Sequence, residues 1–155
     1  MILVSGCLVG MLCRYDGNAS ESNARLKKMV EDGEAIPVCP EQLGGLSTPR
    51  PIQEIQGGEG IDVINGKARV VNAKGEDVTK QFISGAGHVL AIAEDNNISE
   101  AVFRSKSPAC GCGRIYDGTF RSRLKEGDGV ATALLKRHGI KVMTETEFRE
   151  REMMK

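Results

Sequence analysis

Three short apolar runs, Ile2-Leu3-Val4, Ala35-Ile36-Pro37-Val38 and Ala101-Val102-Phe103, each lead within a few residues to a cysteine: Cys7, Cys39 and Cys110. Continuous apolar runs of this length suit strands buried on both faces, which is the situation of strands in a parallel sheet. Parallel neighbours need long crossovers, usually helical. The intervals supply them. Ser22 or Asn23 can cap a helix in which Leu26, Met29 and Val30 recur at helical spacing, with Gly33 as its stop. Asp77 can cap a longer helix whose Phe82, Ala86, Val89, Leu90 and Ala93 form one stripe ending at Asn96-Asn97. Asp128 is placed to cap a third, with Val130, Ala133 and Leu134 on one face and Gly139 at its end, followed by a fourth strand over Ile140 to Met143. This alternation predicts an α/β fold, a single Rossmann-like domain with a mostly parallel sheet and crossover helices. At 155 residues the chain is long enough for one such core and too short for two, so one domain is expected over 1–155.

One segment breaks the alternation. Ile61 to Ile64 and Lys67 to Val71 flank Asn65-Gly66, a strong hairpin signal, so a small inserted β-hairpin is expected there. Before it, the stretch from Pro40 to Pro51 holds three prolines and Gly44-Gly45 and reads as an ordered loop without regular structure. It carries one acid, Glu41, and one fixed cation, Arg50. Long ordered loops in compact domains are usually functional. At the other end, Met153-Met154-Lys155 follows a highly charged stretch and is expected to fray.

Charge removes some classes of partner. Lys and Arg total 21 against 21 Asp and Glu, so no overall basic field favours polymeric nucleic acid or an anionic membrane. The N-terminus lacks the basic flank and length of a signal peptide, and no apolar run approaches the roughly 20 residues of a membrane span. A cytoplasmic protein is expected. There the five cysteines stay reduced, and an odd number without regular spacing is a poor disulfide framework. Metal ligation or thiol chemistry explains them better.

Ligands of open α/β sheets bind outside the carboxyl ends of the strands, where Cys7, Cys39 and Cys110 all fall. In Ser107-Pro108-Ala109-Cys110-Gly111-Cys112-Gly113 the glycines leave room for a bulky group to approach. Three thiolates converging from three loops can hold a cubane iron–sulfur cluster by three corners, leaving one iron open to act as a Lewis acid. Two other readings stand beside this one. Cys13 or Cys112 could supply a fourth ligand and close the cluster into a structural, electron-transfer or sensing centre. Alternatively, Cys110 and Cys112 could form a metal-free pair for thiol exchange. Neither C-x-x-C pairs nor histidine pairs of a zinc site are present. His88 reads as a helix residue, His138 as a partner for a helix dipole, and Arg121, Arg123 and Lys125 as a solvated basic face.

Three ordered motifs sharpen the choice. Ser5-Gly6-Cys7-Leu8-Val9-Gly10 with Arg14-Tyr15-Asp16-Gly17, then Cys39-Pro40-Glu41-Gln42-Leu43-Gly44-Gly45-Leu46 with Pro49-Arg50, then Ser107-Pro108-Ala109-Cys110-Gly111, resemble the bacterial family called domain of unknown function 523. The likeness runs along nearly the whole chain, with Ala109 a departure where family members commonly carry serine. The resemblance implies thiouracil desulfidase activity. In it, a [4Fe-4S] cluster held by three cysteines with one open iron site removes sulfur from a thiolated pyrimidine without net redox change. On the matching positions its ligands would be Cys7, Cys39 and Cys110. The expected partner is a small thiolated nucleobase or related thioamide, its thiocarbonyl sulfur bound at the open iron and replaced by oxygen from water. Glu41 is the candidate general base, Ser107 would orient the water or the uracil edge, and Lys106 or Arg104 would stabilise developing charge. Arg14, Asp16 and Gly44 join Arg104 as candidate substrate contacts. Oligomeric state is not legible in the sequence.

Overall fold

The computed structural model describes residues 1–155. Strand β1 (Ile2–Ser5) pairs in parallel with β2 (Ala35–Val38), reached through helix α1 (Ala24–Glu31). Beyond β2 come a short helix α2 (Pro40–Leu43), strand β3 (Gln53–Gln56), helix α3 (Gly60–Ile64) and strand β4 (Arg69–Asn72), which returns antiparallel to β3. The long helix α4 (Thr79–Asp95) leads to β5 (Glu100–Phe103), parallel to β1 on its other side. A second antiparallel pair, β6 (Arg114–Tyr116) and β7 (Leu124–Glu126), precedes α5 (Val130–Arg137). Strand β8 (Lys141–Thr144) then joins β5 in parallel, and α6 (Glu145–Met153) ends the chain. The central sheet therefore runs β2-β1-β5-β8, all parallel, as the sequence predicts.

Side-chain alternation sorts the core into two. Leu3, Ala101, Phe103 and Val142 face a cluster built with Phe82, Val89, Val130 and Leu135 from α4 and α5. Ile2, Val4, Val102 and Met143 face the opposite way, onto Leu26 of α1 and Phe148 of α6. Both faces being covered is why these strands read as unbroken apolar runs. Asn23 caps α1 as expected, its Oδ1 accepting from the Leu26 N–H at 2.9 Å.

Several expectations are corrected. The hairpin predicted around Asn65-Gly66 is instead the end of helix α3: Asp62 Oδ2 accepts from the Glu59 N–H, and Asn65 is the helix C-cap. Gly66 follows at φ 78°, the left-handed turn that stops a helix as readily as it reverses a hairpin. The inserted antiparallel pair exists, but it joins β3 to β4 around α3. Pro40 to Leu43 is helical where a loop was expected, because proline suits the first helical position. Asp128 does not cap α5, whose N-cap is Gly129; its carboxylate receives the Gly113 N–H and Lys136 instead. The charged C-terminal stretch forms α6, started by a reciprocal Thr144–Glu147 capping box and anchored by Phe148. Burying that ring contributes about 1.5–3 kcal/mol.

Candidate metal centre and adjoining cavity

Each cysteine is fixed by the turn that follows or precedes its strand. After β1 a 3-10 turn, Gly6–Val9, carries Cys7, and Gly10 closes it at φ 97°. The next loop folds back on that turn: the Ser20 N–H donates to Cys7 O and the Asn23 N–H to Leu8 O. This return brings Cys13 beside Cys7. Cys39 is the N-cap of α2, and α2 is pressed onto α4 through paired glycines. A Cβ on Gly44 would overlap the Gln81 carbonyl oxygen, and one on Gly85 would overlap that of Pro40. Cys110 is held by the Ser107 hydroxyl, which accepts the N–H groups of Ala109 (3.1 Å) and Cys110 (3.2 Å), and by Thr132, which donates to Cys110 O at 3.0 Å.

Four buried thiols meet at the carboxyl ends of β1, β2 and β5. Cys7, Cys13 and Cys39 pack together, and Cys110 joins them around a cavity of about 10 Å³ whose wall includes Ser5, Arg14, Glu41 and Arg104. Cys13 packs with both Cys39 and Cys7, and this proximity, with burial, pushes its own thiol up. The neighbouring Cys13 thiol, helped by the Ser20 hydroxyl at 3.1 Å and the Arg104 charge, lowers Cys7 to about 6 despite burial. Cys39 is lowered too, chiefly by Cys13. Burial, and then the Glu41 charge, push Cys110 up. Cys7 and Cys39 thus lean towards the thiolate, the form that ligates metals, while Cys39 Sγ stands as a donor 3.7 Å from Cys13 O.

The donor set fits an iron–sulfur group in kind: soft sulfur ligands, enclosed, with two cations nearby. No three His, Cys, Asp or Glu side chains are arranged to hold a single metal ion. Cys7, Cys13 and Cys39 form one small buried cluster, and it is from these and Cys110 that such a group would draw its sulfur ligands.

Arg14, Glu41 and Arg104 belong also to the wall of a second cavity, of about 530 Å³. Glu41 is buried and paired with Arg50, whose Nη2 donates to Glu41 Oε2 and, at 3.0 Å, to Cys13 O. Lys106 and Ser107 line this cavity, Lys106 with a left-handed φ of 74°. Arg14 Nε is buried with no hydrogen-bond partner. Of the sequence candidates, Cys7, Cys39, Cys110, Glu41, Arg14, Arg104, Lys106 and Ser107 are brought together. Asp16 and Gly44 are not: Asp16 is exposed and accepts from the Asn18 N–H, while Gly44 faces α4. Cys112 lies outside the thiol cluster, its Sγ donating to Val142 O at 3.5 Å near Lys136. His88 and His138 are exposed on their helices.

Sequence reasoning placed Cys13 only as a candidate fourth ligand of a closed cluster and Arg50 only as the fixed cation of its loop, and it gave Ser5 and Ser20 no part in the site. Ser5 Oγ accepts the Arg104 N–H at 2.9 Å, tying β1 to the end of β5 at the pocket. Its position directly before Gly6-Cys7 was the available signal. The Pro-Arg-Pro setting of Arg50 was another, since a fixed cation inside a rigid loop next to an acid invites a pair.

A parallel α/β sheet whose carboxyl edge gathers thiols, next to a larger cavity that shares a carboxylate and cations with them, is an arrangement suited to a thiolate-held metal group beside a small-molecule site. The model of the 2-thiouracil desulfurase family matches residues 2–147, and the chain belongs to that family. It is 47% identical over 150 residues to the uncharacterized protein YbbK of Bacillus subtilis (strain 168), covering 97% of this chain and 99% of that one. Among solved structures, the [4Fe-4S]-dependent thiouracil desulfidase TudS matches with a TM-score of 0.87 at 40% identity, over 99% of this chain and 95% of that one.

Proposed function

We propose that this chain, as one domain, converts the thiocarbonyl of a thiolated pyrimidine such as thiouracil, or of a related thioamide, to a carbonyl, with water supplying the oxygen and sulfide leaving. A [4Fe-4S] cluster on Cys7, Cys39 and Cys110 is the cofactor. One observation carries the reading: these three cysteines stand at three parallel strand ends around one pocket that shares Arg14, Glu41 and Arg104 with a cavity of substrate size. Family membership and the likeness to TudS support it. When bound, the cluster supplies a Lewis-acidic iron for soft sulfur and needs no net electrons.

The chain's own groups do the rest. Glu41 takes a proton from the attacking water, and Arg50 fixes the carboxylate that does so. The Arg14 Nε–H, buried and unpartnered, is a donor for a pyrimidine oxygen. Arg104 and Lys106 balance negative charge as the carbon–sulfur bond breaks. The Ser107 hydroxyl already accepts two N–H groups, so its hydrogen is free to point at the ring edge or the water. Five free thiols suit a reducing cytoplasm, and the structure has no helix long and apolar enough to cross a membrane.

The contact of Cys13 with Cys7 and Cys39 favours a second reading, a closed cluster with Cys13 as fourth ligand. The test of the first is conversion of 2-thiouracil to uracil and free sulfide by protein reconstituted without oxygen and given no electron donor. One sulfide per uracil is expected. Cluster-loaded protein that forms no uracil would sink the proposal and leave the closed cluster.

A further inference from the structure

The catalytic reading gives no role to the aromatic rings of the larger cavity. The chain has four Phe, two Tyr and no Trp. Phe82, Phe103 and Phe148 are core residues, each at most 2% exposed. The other three, Tyr15, Tyr116 and Phe120, all line the 530 Å³ cavity and are half-buried there. They arrive from separate places: Tyr15 from the loop after Cys13, Tyr116 from the end of β6, and Phe120 from the turn between β6 and β7. Rings that add nothing to either core and surround one space offer flat faces to a ligand.

Phe120 is held there against its preference. Its φ of 58°, like the 57° of Ser122 in the same turn, lies in the left-handed region that a residue with a side chain avoids. A buried carboxylate pins this backbone. Glu54 of β3 is 5% exposed, lines the same cavity, and its Oε1 accepts the N–H groups of Gly118 (2.9 Å) and Phe120 (3.2 Å). Gln56 of the same strand donates to Gly118 O at 3.0 Å. Gly118, at φ 92°, sits so close to Ile55 O that a Cβ would stand 2.6 Å from it. Glu54, Gln56 and the close approach at Gly118 thus fix this turn at the edge of the cavity.

We propose that Phe120, with Tyr15 and Tyr116, is the surface on which the planar heterocycle of the substrate stacks, and that Glu54 is the positioning residue that keeps Phe120 there. The identity of the heterocycle rests on the desulfidase reading; stacking applies to any flat pyrimidine. Glu41, Arg14 and Arg104, on the wall shared with the thiol pocket, then meet the edge of a ring whose face is already held.

Because the chain lacks Trp, Phe120→Trp places a single indole at the proposed surface. In reconstituted protein carrying it, uracil should change the indole emission saturably. Adding Glu54→Ala should raise the half-saturating uracil concentration about tenfold, the effect of one weakened ring contact, and Glu54→Gln, which keeps an acceptor oxygen, should restore it. In the otherwise native chain, Phe120→Ala should raise KM for 2-thiouracil about tenfold with kcat within about twofold. A purely structural role for Glu54 would instead lower the melting temperature and leave the half-saturating concentration alone. Emission indifferent to uracil in a protein that still releases sulfide, or an unchanged KM in Phe120→Ala, overturns the proposal. Saturable emission in a protein that releases no sulfide upholds the stacking surface and counts against the desulfidase reading alone.

Discussion

The thiol pocket forms an inner wall and the larger cavity beside it an outer one, and the two are built on opposite principles. The inner wall sits on the ends of β1, β2 and β5, backed by both cores, and its thiols, Ser5, Glu41 and Arg50 are bonded to one another or to nearby backbone. The outer wall comes from two small antiparallel pairs, β3–β4 and β6–β7, and contains side-chain-bearing residues at left-handed φ. On the proposed reading, reactive groups stand where the sheet makes them rigid, and recognition stands where a loop can be reshaped without unfolding the protein. If this division is right, inner-wall changes strike stability and turnover, while outer-wall changes strike affinity.

Removing Arg50 should be the most severe test. Arg50→Met leaves Glu41 as a buried carboxylate without its counter-charge and should cost about 3–5 kcal/mol in urea unfolding. Pairing it with Glu41→Gln should recover part of that loss; no recovery would mean the arginine acts mainly through its bonds to Cys13 O and Thr48. Next in size, Glu41→Gln alone keeps an acceptor for Arg50 and should lower kcat on 2-thiouracil by about 100-fold while iron content holds. A loss of iron in step with activity would make Glu41 a support for the cluster and not the base.

Smaller effects mark the edges of the comparison. Gly85→Ala pushes α2, and with it Cys39 and Glu41, away from α4; it should destabilise by about 2 kcal/mol, roughly 4–8 °C in Tm, and reduce iron uptake. Asn23→Ala removes the cap of α1 and the bond to Glu145 but keeps the backbone bond from its N–H to Leu8 O. It should cost about 1 kcal/mol and leave iron content and turnover unchanged. If it alters turnover, the inner wall is less insulated than its packing indicates.

The inner wall was the legible one. Short apolar runs ending in Cys7, Cys39 and Cys110 fix strand, edge and ligand candidates together, since buried parallel strands and their carboxyl-end sites follow from one pattern. Helices α1 and α4 were legible from their apolar stripes. Helix α3 was not, because Asn65-Gly66 carries the same backbone chemistry whether it ends a helix or turns a hairpin. The packing of Cys13 with Cys7 and Cys39, and the Arg50–Glu41 pair, escaped for a related reason. Their neighbours come from loops folding back, through bonds such as Ser20 N to Cys7 O and Arg50 N to Tyr15 O, and no periodicity announces such returns. Nor does spacing separate Cys110 from Cys112: two residues apart, one faces the thiols and the other Val142.

The account turns on which thiols hold the cluster. Iron and acid-labile sulfide per chain, measured after reconstitution without oxygen in the native protein and in each of the five single Cys→Ala variants, tests this directly. About four of each are expected in the native chain, Cys13→Ala and Cys112→Ala, and close to none in Cys7→Ala, Cys39→Ala and Cys110→Ala. Loss of the cluster in Cys13→Ala would contradict the three-cysteine site and establish the closed one, and a native chain that takes up no iron would contradict the account altogether.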